Sequence, residues 1–356
     1  MFNAARLTQA RLRRGWTKVA LADAVGLTAR RIASFENEGD VPPESTIAAL
    51  AAALRFPVEF FTRGEVAMPR SEQVSFRSLS KLTAGRRDAA LAGAALAYEV
   101  ASWFDDRFEL PEPDLPDLRD VQPSQAAAAL RSMWNLGELP APNLVHLLEA
   151  HGVRVFSLVD DCADLDALSM WNDGTPFVFL TQHKSPERAR WDAAHELGHL
   201  VLHLGAAPQG RVHEDEADAF ARHFLLPERG VLSTVPRRVS LDVVRAEKVT
   251  WKVSALAYIR QLHNLDHLTE WQYKSLIIEA SQAGYRRTEG DIDRERSQLI
   301  PKVLDALREE GITMAAIADD LAITTAELRG LLFSTVVPVE GSGDARPSTR
   351  ARLRLV

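Results

Sequence analysis

His195 and His199 are separated by three residues, and Glu196 follows the first of them directly. Histidines at i and i+4 lie on one helix face, so both imidazoles can grip a single metal ion. The glutamate then points toward the remaining coordination position, where it can take a proton from water. Zinc suits this chemistry, since it lowers the pKa of such a water from 15.7 to about 7. A third ligand is needed, and it comes fifteen residues after His199. Ala217, Phe220, Ala221, Phe224 and Leu225 mark the buried face of a helix. Glu214 stands three residues before Ala217 and seven before Ala221, beside that face, whereas Glu216 falls about 160° away. A carboxylate at the edge of a buried stripe is costly unless it is paired or metal-bound. Asp218, one turn after Glu214, can accept the outer N–H of a ligating histidine. His203 continues the i+4 series. Four residues advance a helix by about 6 Å, so three successive histidines cannot all reach one shell of ~2 Å; His203 reads as a core or outer-shell residue.

These side chains need a frame. Residues 185–203 read as the helix that carries the histidines, and the stretch from Glu214 to Leu225 reads as a second helix. Ahead of them, residues 153–158 alternate with period two, and residues 166–171 and 176–180 are β-rich. Asn172, Asp173 and Gly174 between the last two runs signal a hairpin. The expected fold class is therefore mainly α with a small antiparallel sheet (α+β).

The chain has 356 residues, 46% hydrophobic and 26% charged, enough for two or three globular domains. One cysteine, Cys162, rules out a disulfide within the chain and any Cys₄ metal site. No run approaches the ~20 apolar residues of a membrane span, and the N-terminus lacks the apolar core of a signal peptide. We therefore expect a cytoplasmic protein without a membrane partner. The net charge is −7, but it is uneven. Arg6, Arg11, Arg13, Arg14, Lys18, Arg30 and Arg31 stand against Asp23 alone between residues 6 and 31, a local charge of +6. Such asymmetry points to an anion-binding head, DNA above all, on an acidic body.

The first 63 residues read as five short helices. Thr17 and Thr28 are plausible N-caps, Gly26 ends the second helix, and Pro42 and Pro43 precede the fourth. Helix, glycine turn, helix is the helix-turn-helix pattern, whose second helix enters the major groove. Leu21, Ala22, Gly26, Leu27, Thr28, Ile32, Phe35, Glu36, Asn37 and Gly39 resemble the five-helix DNA-binding domain of the XRE family. The resemblance implies that Lys18 starts the supporting helix near a phosphate or base edge. It implies that Thr28 caps the recognition helix at a phosphate, and that Arg30, Arg31, Ser34 and Asn37 lie on or near the groove side. Lys18 stands where that family usually has glutamine.

The 195–203 and 214–221 segments, with Phe224, Leu225, Leu226 and Pro227, resemble the ImmA/IrrE family of zinc metallopeptidase-like proteins. So do flanking stretches at residues 76–79, 111–116, 253–258 and 284–286. The resemblance implies a gluzincin-type site with zinc as cofactor, His195, His199 and Glu214 as ligands and Glu196 as catalytic base. It also implies cleavage of a protein target, a repressor, in stress, mobile-element or defence regulation. A transcription factor or antitoxin whose peptidase-like domain only senses a ligand or partner is the alternative. His223 and Tyr258 are bare candidates for stabilising an oxyanion.

Residues 15–32 align without gaps on residues 311–328, with Gly15/Gly311, Thr17/Thr313, Ala20/Ala316, Ala22/Ala318, Asp23/Asp319 and Thr28/Thr324 identical. Arg30 and Arg31 become Ala326 and Glu327, so the copy reads as a packing or dimerisation unit rather than a second DNA reader. The expected plan is a helix-turn-helix domain at 1–63, linker and connecting helix at 64–120, and a peptidase domain at 121–290. A helical bundle at 291–335 and a disordered tail at 336–356 complete it. The expected partners are operator DNA, a protein substrate and a second copy of the chain.

Overall fold

The computed structural model describes residues 1–37, 40–69, 83–158, 166–181, 183–204, 210–285, 289 and 291–332, and the backbone of 351–352. Gly39, Cys162, the 76–79 motif and nearly all of the 336–356 tail lie outside these residues.

The N-terminal helices are α1 (Ala4–Arg13), α2 (Lys18–Val25), α3 (Ala29–Glu36) and α4 (Glu44–Leu54), followed by a 3₁₀ turn at Val58–Thr62. The caps fall where the sequence places them. Thr17 Oγ1 accepts from Ala20 N and Thr28 Oγ1 from Arg31 N, and Gly26 adopts φ +67° to end α2. Next comes α5 (Ala84–Asp105), whose residues 89–98 are buried without a break. A helix apolar all round is an interior helix rather than a connector. Alanine makes this possible, because short side chains let neighbours approach from every side.

The central part contains β1 (Phe108–Glu109), α6 (Pro123–Met133), α7 (Leu144–Ala150), β2 (Arg154–Ser157), β3 (Ala167–Asn172) and β4 (Thr175–Leu180). It continues through α8 (Pro186–Leu202), α9 (Arg211–Leu225), α10 (Glu228–Thr234), α11 (Leu241–Trp251), α12 (Ala255–Asn264) and α13 (Glu270–Gln282). The hairpin forms as expected, with Asp173 at φ +46° and Gly174 at φ +80°. The sheet, however, is mixed and not wholly antiparallel. Its order is β2-β4-β3, with β3 antiparallel and β2 parallel to β4. The hairpin fixes only the β3–β4 pair; β2 reaches the other edge of β4 through a crossover, which a local pattern cannot reveal.

Period two has a second consequence. Val153, Val155, Ala167, Val178 and Leu180 enter the core of the central helices. Phe156, Leu158, Leu168, Met170, Phe177 and Phe179 face a different core, shared with α5, the N-terminal helices and the C-terminal bundle. The sheet is thus a wall buried on both sides, which explains its near-continuous apolar strands.

The last helices are α14 (Leu299–Glu309), α15 (Met314–Asp320) and α16 (Thr325–Leu331). The internal repeat holds down to its caps: Thr313 and Thr324 cap α15 and α16 as Thr17 and Thr28 cap α2 and α3. Gly311 takes φ +77° as Gly15 takes +65°, and Ala322, opposite Gly26 in the repeat, takes +51°. Residues 289 and 291–298, ahead of α14, are stitched to the central helices. Glu289 accepts from Ala255 N, Glu295 accepts from Leu144 N and pairs with Arg190, and Asp291 pairs with the buried Lys248. Glu149 of α7 accepts from the backbone N–H of Gln298 and Leu299 and so caps α14 from 150 residues away. Two residues, Ala351 and Arg352, pair parallel with β1. No helix among the described residues is long and apolar enough to cross a membrane.

Candidate metal centre and nucleic-acid interface

Ser185 caps α8, Pro186 occupies its first turn, and the helix runs unbroken through both histidines. The adjoining α9 buries Glu214, Ala217, Phe220, Ala221 and Phe224, the stripe expected from its sequence. Gly198 sets how closely the two helices approach. A Cβ there would meet Phe220 Cδ1 at 3.1 Å and Ala217 Cα at 3.3 Å. The missing side chain therefore lets α9 bring Glu214 up to the histidines.

His195 Nε2 and His199 Nε2 stand 3.1 Å apart. Glu214 Oε2 lies 3.4 Å from the first and Glu214 Oε1 3.6 Å from the second. Ligands about 2.05 Å from a tetrahedral zinc stand about 3.3 Å from one another, so this spacing fits one ion. The outer nitrogens agree. His195 Nδ1 is 3.0 Å from Asp218 Oδ1, and His199 Nδ1 is 2.9 Å from His203 Nδ1. Both outer positions have acceptors for a proton, which leaves both Nε2 lone pairs directed inward. Charge points the same way. Burial alone would lower the pKa of His195, but hydrogen bonds to Asp218 and Glu214 outweigh it and push it up to about 10. The carboxylates thus demand a positive charge at this point. Burial and the flanking imidazoles push His199 well down, which keeps it in the neutral form that metal binding requires.

Glu196 is 1% exposed. Burial pushes its pKa up to about 7, against the opposing pull of His195 and a hydrogen bond from Ser169. A base poised near neutrality is suited to proton transfer. Ser169 Oγ donates to Glu196 Oε2 at 2.6 Å. The sequence reading missed this serine. Its signal was a polar residue in an apolar strand, on the same face as Trp171, whose indole N–H donates to Leu200 O of α8. Of the two oxyanion candidates, Tyr258 is fully buried with its hydroxyl unpartnered, and His223 is half-buried; neither hydrogen-bonds to a residue of the site. His203 does not join the three converging ligands. It meets Glu216, whose Oε2 lies 2.9 Å from His203 Nε2.

Residues 148–263 match the family model described as the IrrE N-terminal-like domain. Residues 4–59 match that of a helix-turn-helix domain. The chain joins an IrrE-like, metallopeptidase-type domain to a DNA-binding helix-turn-helix domain. No curated protein matches it significantly. The IrrE-like match spans β2 to α12 and includes His195, Glu196, His199 and Glu214.

In the helix-turn-helix domain, Arg30 and Asn37 are exposed on and just after α3, and Thr28 caps it. Arg31 lies over the Phe35 ring and pairs with Asp40 at 2.7 Å; Ser34 Oγ donates to the same carboxylate at 2.5 Å. Lys18 pairs with Glu36 at 3.3 Å. The charge map needs correction. Arg6 is buried against Glu99, Arg11 against Glu36 and Arg13 against Glu327, and the half-buried Arg14 pairs with Glu327 as well. Four of the seven basic residues of the stripe therefore hold the molecule together instead of facing solvent. Sequence counting registers charge but not direction. α1 turns these side chains toward acidic residues distant in the chain.

Proposed function

We propose that this protein is a cytoplasmic DNA-binding regulator whose IrrE-like domain is a zinc-dependent endopeptidase acting on a protein target, a repressor. The observation that carries this reading is the convergence of His195, His199 and Glu214 beside a buried, serine-held Glu196. His195, His199 and Glu214 would hold a zinc ion, which when bound would supply Lewis acidity to water and to a peptide carbonyl. Glu196 takes the proton from the attacking water and passes it to the leaving amine. Ser169 holds the Glu196 carboxylate toward the centre and favours its ionised form. Trp191, which donates to Asp218 at 3.4 Å, braces the carboxylate that holds His195. The IrrE-like domain shares its sheet with the core that includes the helix-turn-helix domain. Operator binding and peptidase activity in one chain would place the target protein at the DNA.

The test is to incubate the zinc-loaded chain with a candidate repressor, or alone, beside a Glu196→Gln variant. Glu196→Gln should keep the metal and lose proteolysis, because the base is gone and the ligands remain. If the variant cuts equally well, the assignment of the base fails. If target-gene regulation is unchanged by the substitution, the domain works as a sensor. For DNA, residues 18–37 present α2 and α3 to one groove, and a two-fold pair of chains would space two such helices about 34 Å apart. A gel-shift titration with promoter DNA at low salt checks this; no binding by the full chain would overturn it.

A further inference from the structure

We propose that His203 and Glu216 are positioning residues that lock His199 into the tautomer able to hold metal, acting through one intervening imidazole as Asp218 acts directly on His195. This rests on the reading of His195, His199 and Glu214 as metal ligands.

Proton bookkeeping carries the argument. A neutral imidazole has one N–H. His199 Nε2 faces His195 Nε2 and Glu214, so in a ligating His199 that nitrogen offers a lone pair and the proton sits on Nδ1. The acceptor there is His203 Nδ1, at 2.9 Å. A nitrogen that accepts carries no proton, so the His203 proton sits on Nε2. There it meets Glu216 Oε2, again at 2.9 Å. The run from Glu216 through His203 to His199 is therefore satisfied bond by bond in one direction only. Its far end is a carboxylate, which accepts but does not donate, so the direction is fixed from outside the centre. Burial makes this effective: His199 is 5% and His203 7% exposed, so water does not compete for the inner bond.

The same bookkeeping decides against a second use of these residues. His203, His213 and Glu216 place ligand atoms within 4.8 Å of one another and could themselves hold an ion. An ion on His203 Nε2 would move the His203 proton to Nδ1. Two N–H groups would then face each other across the 2.9 Å gap to a ligating His199. A cation in that cluster and a ligating His199 with its hydrogen bond intact exclude one another. The helix-face argument placed Glu216 away from the metal. It lies outside the His195–His199–Glu214 group, yet α9 brings it to His203, through which it can still act.

The experiment uses the full chain and two probes. Zinc affinity is measured by competition with a chelator, and cobalt(II) replaces zinc for proton NMR. The cobalt-loaded wild type should show two strongly shifted, exchangeable imidazole N–H signals, one from His195 and one from His199. Glu216→Ala should weaken zinc binding about 10- to 100-fold and speed solvent exchange of one of those signals only. Glu216→Asp should restore part of both effects. His203→Phe, which removes the acceptor, should weaken binding at least as much, and His213→Ala should change neither readout. Glu216 has 41% of its side chain exposed, so its substitution leaves the core intact. An affinity within twofold of wild type, with both signals unchanged, overturns the proposal while the metal reading stands. A second equivalent of zinc that disappears in His213→Ala also overturns it, in favour of a second ion. A wild-type chain that binds no metal overturns both readings together.

Discussion

A carboxylate that nothing in the mechanism requires shows how the surroundings of this centre are tuned. Asp192 lies one turn before Glu196, 5% exposed, with one oxygen on Arg188 at 2.9 Å and the other unpartnered. Burial pushes its pKa up to about 6, against the opposing pull of Arg188. The unfolded chain titrates near 3.9. The folded state therefore holds this proton more tightly than the unfolded state. The resulting stability is present below about pH 4 and is lost as pH rises through 6. Asparagine imitates the protonated form. Asp192→Asn should be close to neutral at pH 4 and stabilising by about 2 kcal/mol at pH 8. Thermal unfolding of both proteins at the two pH values checks this; an equal difference at both would refute the assignment.

At the scale of elements, the centre depends on how closely α8 and α9 approach, and Gly198 controls that distance. Gly198→Ala adds one methyl against Phe220 and the backbone of Ala217. Overpacking of this kind costs about 1–3 kcal/mol. The relief available is a shift of α9, which moves Glu214 with it. The variant should therefore bind zinc at least tenfold more weakly although all three ligands remain, and should unfold at lower temperature. Unchanged zinc affinity in a competition titration would mean that α9 does not set the ligand geometry.

Across the whole molecule, the two helix-turn-helix-like units are clamped together by Glu327 on α16, where the N-terminal copy has Arg31. Arg13, Arg14 and Glu327 form a pair-sharing cluster with Arg13 and Glu327 almost fully enclosed. Removing one member leaves a buried charge unmatched, at a cost of about 3–5 kcal/mol. Glu327→Ala should lower the unfolding transition accordingly, whereas Arg30→Ala, on the exposed face, should change stability by no more than about 0.5 kcal/mol. DNA binding should show the reverse. With Arg30 and Arg31 as the exposed arginines of the stripe, each half-site neutralises about two phosphates. A pair of chains then gives a log–log salt slope of about −4. Arg30→Ala should flatten it by about one unit per chain. A slope near −10 would require the interior arginines to face DNA after all.

The grouping of His195, His199 and Glu214 could be read from the chain because its information is local. Two histidines one helical turn apart, and a glutamate beside an apolar stripe, obey the geometry of a single helix. The caps at Thr17 and Thr28, the Asp173–Gly174 turn and the internal repeat were legible for the same reason. Side-chain direction between distant segments was not. Ser169 reaches Glu196 because β3 happens to lie under α8. Glu216 reaches His199 only through His203, and the crossover to β2 makes the sheet mixed. Arg13 and Glu327 are more than 300 residues apart in sequence, and no periodicity links them. Local rules fix which way a residue faces on its own helix or strand. What stands opposite is decided only when two cores close on one sheet, turning a stripe of positive charge into a set of interior clamps.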